Sequence, residues 1–202
     1  MKKKIIIAVL LCIPFISILL VIVFRGVMLP TNEEIIKSLK DIKCYEANVE
    51  YIIKNSRGEE REDTVQYYSK DKGVRVEFGE DIVKVYKNDG IQVIDNISNS
   101  DYVIDKSLDV LHPLAFMNKI LSFPIKSDSL KQDQEEWGDT VYIQVDLELF
   151  LDNEHLNIAR LFVDKKNRTP IGIIVYNKDG EDTLRIIFKD FKKVKQIDDS
   201  LL

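Results

Sequence analysis

The hydrophobic positions of this chain follow three patterns in turn. From Ile5 to Phe24 there is no period at all, because 20 consecutive residues carry no charge. As a helix rising 1.5 Å per residue, such a run covers about 30 Å, the thickness of a bilayer's hydrocarbon core. From Ile35 to Ile42 the apolar residues Ile35, Ile36, Leu39 and Ile42 recur at helical spacing. Thr31-Asn32-Glu33-Glu34 precedes them and forms a capping box, in which threonine and glutamate satisfy each other's backbone amides. From Tyr45 the period becomes two. Tyr45, Ala47, Val49, Tyr51 and Ile53 alternate with polar residues, the mark of a strand with one wet face.

That alternation recurs between turn signals along most of the chain. Asn55-Ser56-Arg57-Gly58 leads to a strand around residues 64–69, and Asp71-Lys72-Gly73 leads to Val74, Val76 and Phe78. Strands at 82–87 and 91–95 flank Asn88-Asp89-Gly90, a strong hairpin signal, and Tyr102-Val103-Ile104 follows. A second helical piece opens at Leu111-His112-Pro113 and runs to Leu121, and polar residues 126–136 read as a loop. Val141 to Leu149, Leu156 to Val163, Pro170 to Tyr176 and Leu184 to Phe191 complete the alternating set. The expectation is nine or ten strands in one antiparallel meander with two short helices. A sheet this large with one apolar face must curl and be covered, and the two helices are the available cover. Either they fill the concavity, or it is a groove for an apolar ligand or another protein.

Charge gives the first run an orientation. Lys2, Lys3 and Lys4 precede it and Arg25 follows, so residues 1–4 are expected in the cytoplasm and the rest outside. Ile5, Leu10, Phe15, Leu20 and Phe24 sample the expected transmembrane anchor of residues 5–24, and residues 25–30 form a linker. A cleaved signal would need a shorter apolar core and a small-x-small site, which Phe24-Arg25-Gly26-Val27 does not supply. A lipoprotein signal would need a small residue before its cysteine, whereas Cys12 follows two leucines. The expected address is the cell membrane, single-pass, with the C-terminal domain in the envelope of a low-GC Gram-positive bacterium.

Beyond residue 25, the chain has 25 basic and 34 acidic residues, a net charge of −9. Such a surface repels polyanions, so nucleic acid is excluded as a partner. The catalytic inventory is thin. His112 and His155 stand 43 residues apart with no ligand spacing, so no metal and no cofactor is expected. Cys44 is the one cysteine beyond residue 25, placed near the end of the first helix and read as an inert thiol. Asp146 and Glu148 resemble the carboxylate pair of a wall hydrolase but occupy the polar phase of a strand. No catalytic residue is expected. Trp137, beside Glu135-Glu136, is either a core-edge residue or an anchor for a protein partner.

An ordered set of these elements resembles a family. Leu161-Phe162-Val163-Asp164 followed by Lys165 to Thr169 and Pro170-Ile171, then Val175-Tyr176 through Gly180 to Ile187-Phe188-Lys189-Asp190-Phe191, is similar to the tail of LolA-like proteins. The Asn88-Asp89-Gly90 hairpin and the opening helix fit the same superfamily, which includes lipoprotein carriers and the LolB and RseB types. The resemblance implies a strongly curved antiparallel sheet, an unclosed β-barrel covered by helices, over residues 31–196, with 197–202 as a tail. In character the chain is most similar to the clostridial germination lipoprotein GerS. That likeness implies a non-enzymatic module binding a spore cortex N-acetylmuramoyl-L-alanine amidase. The wider family implies the alternative, a lipid or lipoprotein carrier or sensor holding an acyl chain in an apolar cavity. A shuttle must leave its membrane, and the uncleaved anchor favours the stationary role.

Overall fold

The computed structural model describes residues 13–22, 30–133, 137–138 and 140–202. Residues 13–22 form a helix whose apolar side chains, Phe15 and Leu20 among them, are exposed. Among the described residues no helix is long and apolar enough to cross a membrane. The expected anchor lies partly outside the described residues, as do Ile5, Leu10 and Phe24.

Helix α1 (Asn32–Lys40) begins where the capping box places it. Thr31 Oγ1 accepts the Glu34 amide at 3.2 Å, and Glu34 Oε2 accepts the Thr31 amide at 2.9 Å. Ile36, Leu39 and Ile42 are buried, which is the face that the spacing selects.

The body of the protein is one antiparallel sheet of eleven strands. In chain order these are β1 (Cys44–Asn55), β2 (Gly58–Ser69), β3 (Gly73–Phe78), β4 (Ile82–Tyr86), β5 (Ile91–Asp95), β6 (Ser100–Ile104), β7 (Lys131–Asp133), β8 (Tyr142–Glu148), β9 (Ile158–Asp164), β10 (Thr169–Tyr176) and β11 (Asp182–Lys193). The spatial order is β6-β5-β4-β3-β2-β1-β11-β10-β9-β8-β7. β6 and β7 are the two edges and do not pair, so the sheet is not closed.

The count exceeds nine or ten for a physical reason. β7 is three exposed polar residues, Lys131-Gln132-Asp133, held by its ladder to β8. Nothing in such a sequence alternates. β2 likewise starts at Gly58, well before residue 64, because Glu59 to Asp63 pair with Lys54 to Glu50 on β1. Arg61 to Glu50 at 3.2 Å and Lys189 to Glu50 and Asp63, each at 3.0 Å, line this polar extension. Cys44 opens β1 and is half-buried, where the sequence pattern places a helix end.

Gly73 shows how tightly the β2–β3 turn is drawn in. Its φ is +119°, and a Cβ there would sit 2.2 Å from the Tyr86 carbonyl oxygen. Only glycine fits that approach.

Residues 105–130 carry the chain from one edge of the sheet to the other. This crossover holds a 3-10 turn (His112–Ala115) and the single-turn helix α2 (Met117–Ile120), in place of one continuous second helix. Phe116 between them is extended (φ −79°, ψ 119°), which ends the first turn. Leu114, Ala115, Phe116, Met117, Ile120 and Leu121 are all buried. The Phe116 ring meets Tyr86 of β4 edge-on at 5.0 Å, and the Tyr51 hydroxyl of β1 donates to the His112 carbonyl at 3.0 Å. Ile125 then bridges to Leu147 of β8. The crossover therefore packs on the inner face of the sheet and supplies much of its cover.

Candidate functional site

Two side-chain environments meet under the crossover. On β8 to β11 the inward positions Val145, Leu147, Leu161, Ile173, Val175 and Ile186 are apolar and at most 1% exposed in every case. On β2 and β4 the inward positions are largely polar or aromatic, with Val74 and Val76 of β3 between them. Thr64, Gln66 and Tyr68 of β2 are buried, and Glu62, Lys84 and Tyr86 share that face.

The crossover answers this polar half with Asp109 and His112. Asp109 is 5% exposed at its side chain. Its Oδ2 accepts from Lys84 Nζ at 2.8 Å and from the Tyr86 hydroxyl at 2.7 Å. Its Oδ1 lies 2.8 Å from His112 Nδ1. The other imidazole nitrogen, Nε2, lies 3.0 Å from Glu62 Oε2. Tyr51 and Phe78 stand edge-on to the ring at 5.1 and 4.9 Å. Gln66 Nε2 donates to the Tyr51 hydroxyl at 2.7 Å, which extends the network to the middle of the sheet.

Electrostatics follow from this geometry. Burial opposes a charge on His112, but hydrogen bonds to Asp109 and Glu62 and the charge of Asp109 outweigh it, so its pKa is raised. Burial would lift Asp109, yet hydrogen bonds from His112, Lys84 and Tyr86 with the His112 charge hold it far below the usual carboxylate range. Glu62 is lowered by its hydrogen bond to His112 against the effect of burial. Chemically, an Asp–His pair suggests a hydrolase dyad, but here the second nitrogen faces a carboxylate and not a nucleophile. The arrangement holds the imidazole between two carboxylates and pins the crossover to the sheet.

Beside this network lies a cavity of about 380 Å³. The β2–β3 turn, the β4–β5 turn, the crossover and Leu151 enclose it. Ile91, Leu114, Phe116 and Phe123 give it an apolar side, while Ser69, Asn88 and Asn118 add polar groups. Five lysines, Lys70, Lys72, Lys87, Lys106 and Lys119, also line it, against the acids Asp71 and Asp109.

Trp137 sits elsewhere, half-buried on the outer face of β8 to β10. It packs on Phe162 (5.4 Å between ring centres) in a small cluster with Tyr142 and Ile174. Gly172 makes room for it, since a Cβ there would lie 2.9 Å from Trp137 Cη2. Asp146 is on the same outer face, its carboxylate gripped by Arg160 at 2.7 and 3.1 Å. Glu148, two residues on, shares that outward phase. His155 lies in an exposed loop. The sequence reading missed the Asp109–His112–Glu62–Lys84–Tyr86 cluster, whose members are up to 50 residues apart. The one local trace was Asp109, three residues before His112, accepting its backbone amide at 3.2 Å.

Comparison with known proteins supports the architecture. An uncharacterized conserved protein from Thermus thermophilus superposes with a TM-score of 0.55 at 10% identity, covering 84% of this chain and 91% of that one. A chain in the structure of the CwlD amidase from Clostridioides difficile in complex with the GerS lipoprotein matches with a TM-score of 0.47 at 17% identity, over 81% of this chain and 96% of the other. A LolA superfamily protein from Nitrosomonas europaea matches with a TM-score of 0.45 at 12% identity, over 85% and 96%. No curated protein matches the sequence. The unclosed eleven-stranded sheet with short helices is a LolA-like fold. A family model described as "Sporulation protein YdcC-like" matches residues 2–202. With essentially its whole length matched by that model, the chain belongs to the YdcC-like sporulation protein family.

Proposed function

We propose that this chain is a membrane-anchored, non-enzymatic extracytoplasmic binding module acting through protein contacts in spore cortex modification and germination. The proposed partner is a cortex N-acetylmuramoyl-L-alanine amidase. The observation that carries the reading is the match of residues 2–202 to a sporulation family on a LolA-like scaffold. Two features support it. The imidazole most able to do acid–base chemistry has both nitrogens committed to carboxylates. The uncharged run of residues 5–24 behind three lysines suits a permanent tether with the domain outside.

The test is affinity capture of the full-length chain from detergent-solubilised membranes of sporulating cells. The expected result is co-purification of a cortex amidase, together with altered cortex muropeptides and poor germination in a deletion strain. Normal cortex chemistry and no amidase in the capture would overturn the proposal. Protease shaving of intact protoplasts checks the address, since an extracytoplasmic domain is digested. The lipid-carrier alternative draws support from the apolar inner half of the sheet. Leu114, Met117 and Ile120 of the crossover are themselves buried, which weighs against an open groove.

A further inference from the structure

The lysine-lined cavity carries an inference that stands apart from the protein-partner reading. Its charge runs against the rest of the molecule, which has a net −9 beyond residue 25. Asp109 is neutralised by Lys84 and His112, leaving Asp71 as the one lining acid without a salt bridge among the described residues. Lys72 is paired with Asp199, and Lys106 donates to the Asn88 carbonyl at 2.8 Å. Lys119 lies over the Phe123 ring at 5.3 Å. Lys70 and Lys87 make no salt bridge among the described residues. The cavity thus holds surplus positive charge that no described acid of this chain takes up.

A second observation points to a ligand. Tyr68 lines the cavity and is 1% exposed, yet its hydroxyl is buried with no hydrogen-bond partner among the described residues. Leaving such a group unpaired is costly, because its hydrogen bond to water is lost without replacement. Burial pushes the phenol up to about 12, so the hydroxyl keeps its proton and has a donor to offer.

Size and polarity narrow the chemistry. A cavity of roughly 150 Å³ holds one benzene, so about 380 Å³ suits a ligand of about 15 non-hydrogen atoms. That is too small for the paired acyl chains of a lipoprotein. A single acyl chain would strip water from Ser69, Asn88 and Asn118 without replacing its hydrogen bonds. A peptide replaces them.

We propose that this cavity binds a small acidic peptide. Its carboxylates rest on Lys70 and Lys87 with Lys119, its amides meet the polar side groups, and a short aliphatic side chain packs against Ile91 and Phe116. The test is calorimetric titration of the full-length chain in detergent with three probes: alanyl-glutamate, the neutral N-acetyl-alanyl-glutamine amide, and octanoate. Alanyl-glutamate is expected to bind, and the other two more weakly. Combining Lys70→Glu with Lys87→Glu should weaken alanyl-glutamate by about tenfold or more at unchanged Tm. Tyr68→Phe should weaken it several-fold while Tm holds or rises, whereas a purely structural hydroxyl would lower Tm. Absent binding, equal binding of the neutral amide, indifference to the charge reversals, or tighter binding of octanoate would each overturn the proposal. Amidase capture is a separate readout and can fail independently.

Discussion

The two halves of the inner face solve burial in opposite ways. Strands β8 to β11 present aliphatic side chains that need only to be covered. Strands β2 and β4 present Glu62, Gln66, Lys84 and Tyr86, which need partners with fixed geometry. One crossover serves both, laying Met117, Ile120 and Leu121 into the core while Asp109 and His112 engage the polar half. Apolar packing tolerates small displacements, but a buried charge network does not. The polar half therefore sets where the crossover sits, and the cavity opens beside it.

The sharpest way to break this comparison is to remove the acid at the centre of the network. Asp109→Ala leaves Lys84 and His112 facing Glu62 alone, and the cost is expected at about 3–5 kcal/mol in urea denaturation. In the apolar half, Leu161→Ala removes a fully buried side chain and should cost about 2–4 kcal/mol, as a cavity and not as an unpaired charge. A larger loss for Leu161→Ala than for Asp109→Ala would reverse the assignment of the two halves. Gly172→Ala, on the outer face of the apolar half, drives a Cβ against Trp137 and the Ile186 carbonyl. It should cost about 1–3 kcal/mol and shift tryptophan emission to the red.

The smallest effect is the most diagnostic, because it depends on pH. The folded state raises the His112 pKa, so protonated His112 stabilises fully below its ordinary value of 6.5. That contribution disappears as pH rises through the folded value. Asp109 is depressed, so its contribution is present above its ordinary 3.8 and is lost on acidification. Thermal melts of the wild type should therefore peak between about pH 4 and 6.5 and decline above. His112→Gln should lose the alkaline decline; an identical decline in the variant would remove His112 as its cause.

Much of the fold was legible because period-two alternation is strong wherever one face is apolar. β1 shows it: Tyr45, Ala47, Val49 and Tyr51 are all buried as the alternation requires. The Thr31–Glu34 cap was equally plain, since both partners lie within one turn. β2 shows the limit. Thr64, Gln66 and Tyr68 point inward while Val65 and Tyr67 are only half-buried outside, so hydrophobicity selects the wrong face. β7 and the start of β2 were invisible because backbone pairing and polar side-chain contacts hold them, with no apolar alternation. The candidate site was least legible, with its groups drawn from β2, β4 and the crossover.

What the sequence determined by itself, then, is what local chemistry can express: helix caps, hairpin turns, the phase of the apolar strands, and the uncharged run of residues 5–24. Tertiary structure alone decided which way β2 faces, where the crossover lies, and that Asp109, His112, Glu62 and Lys84 meet. A period reports only whether neighbours two or four residues away share an environment. A buried charge is tolerable only when distant partners reach it, and those partners leave no periodic trace.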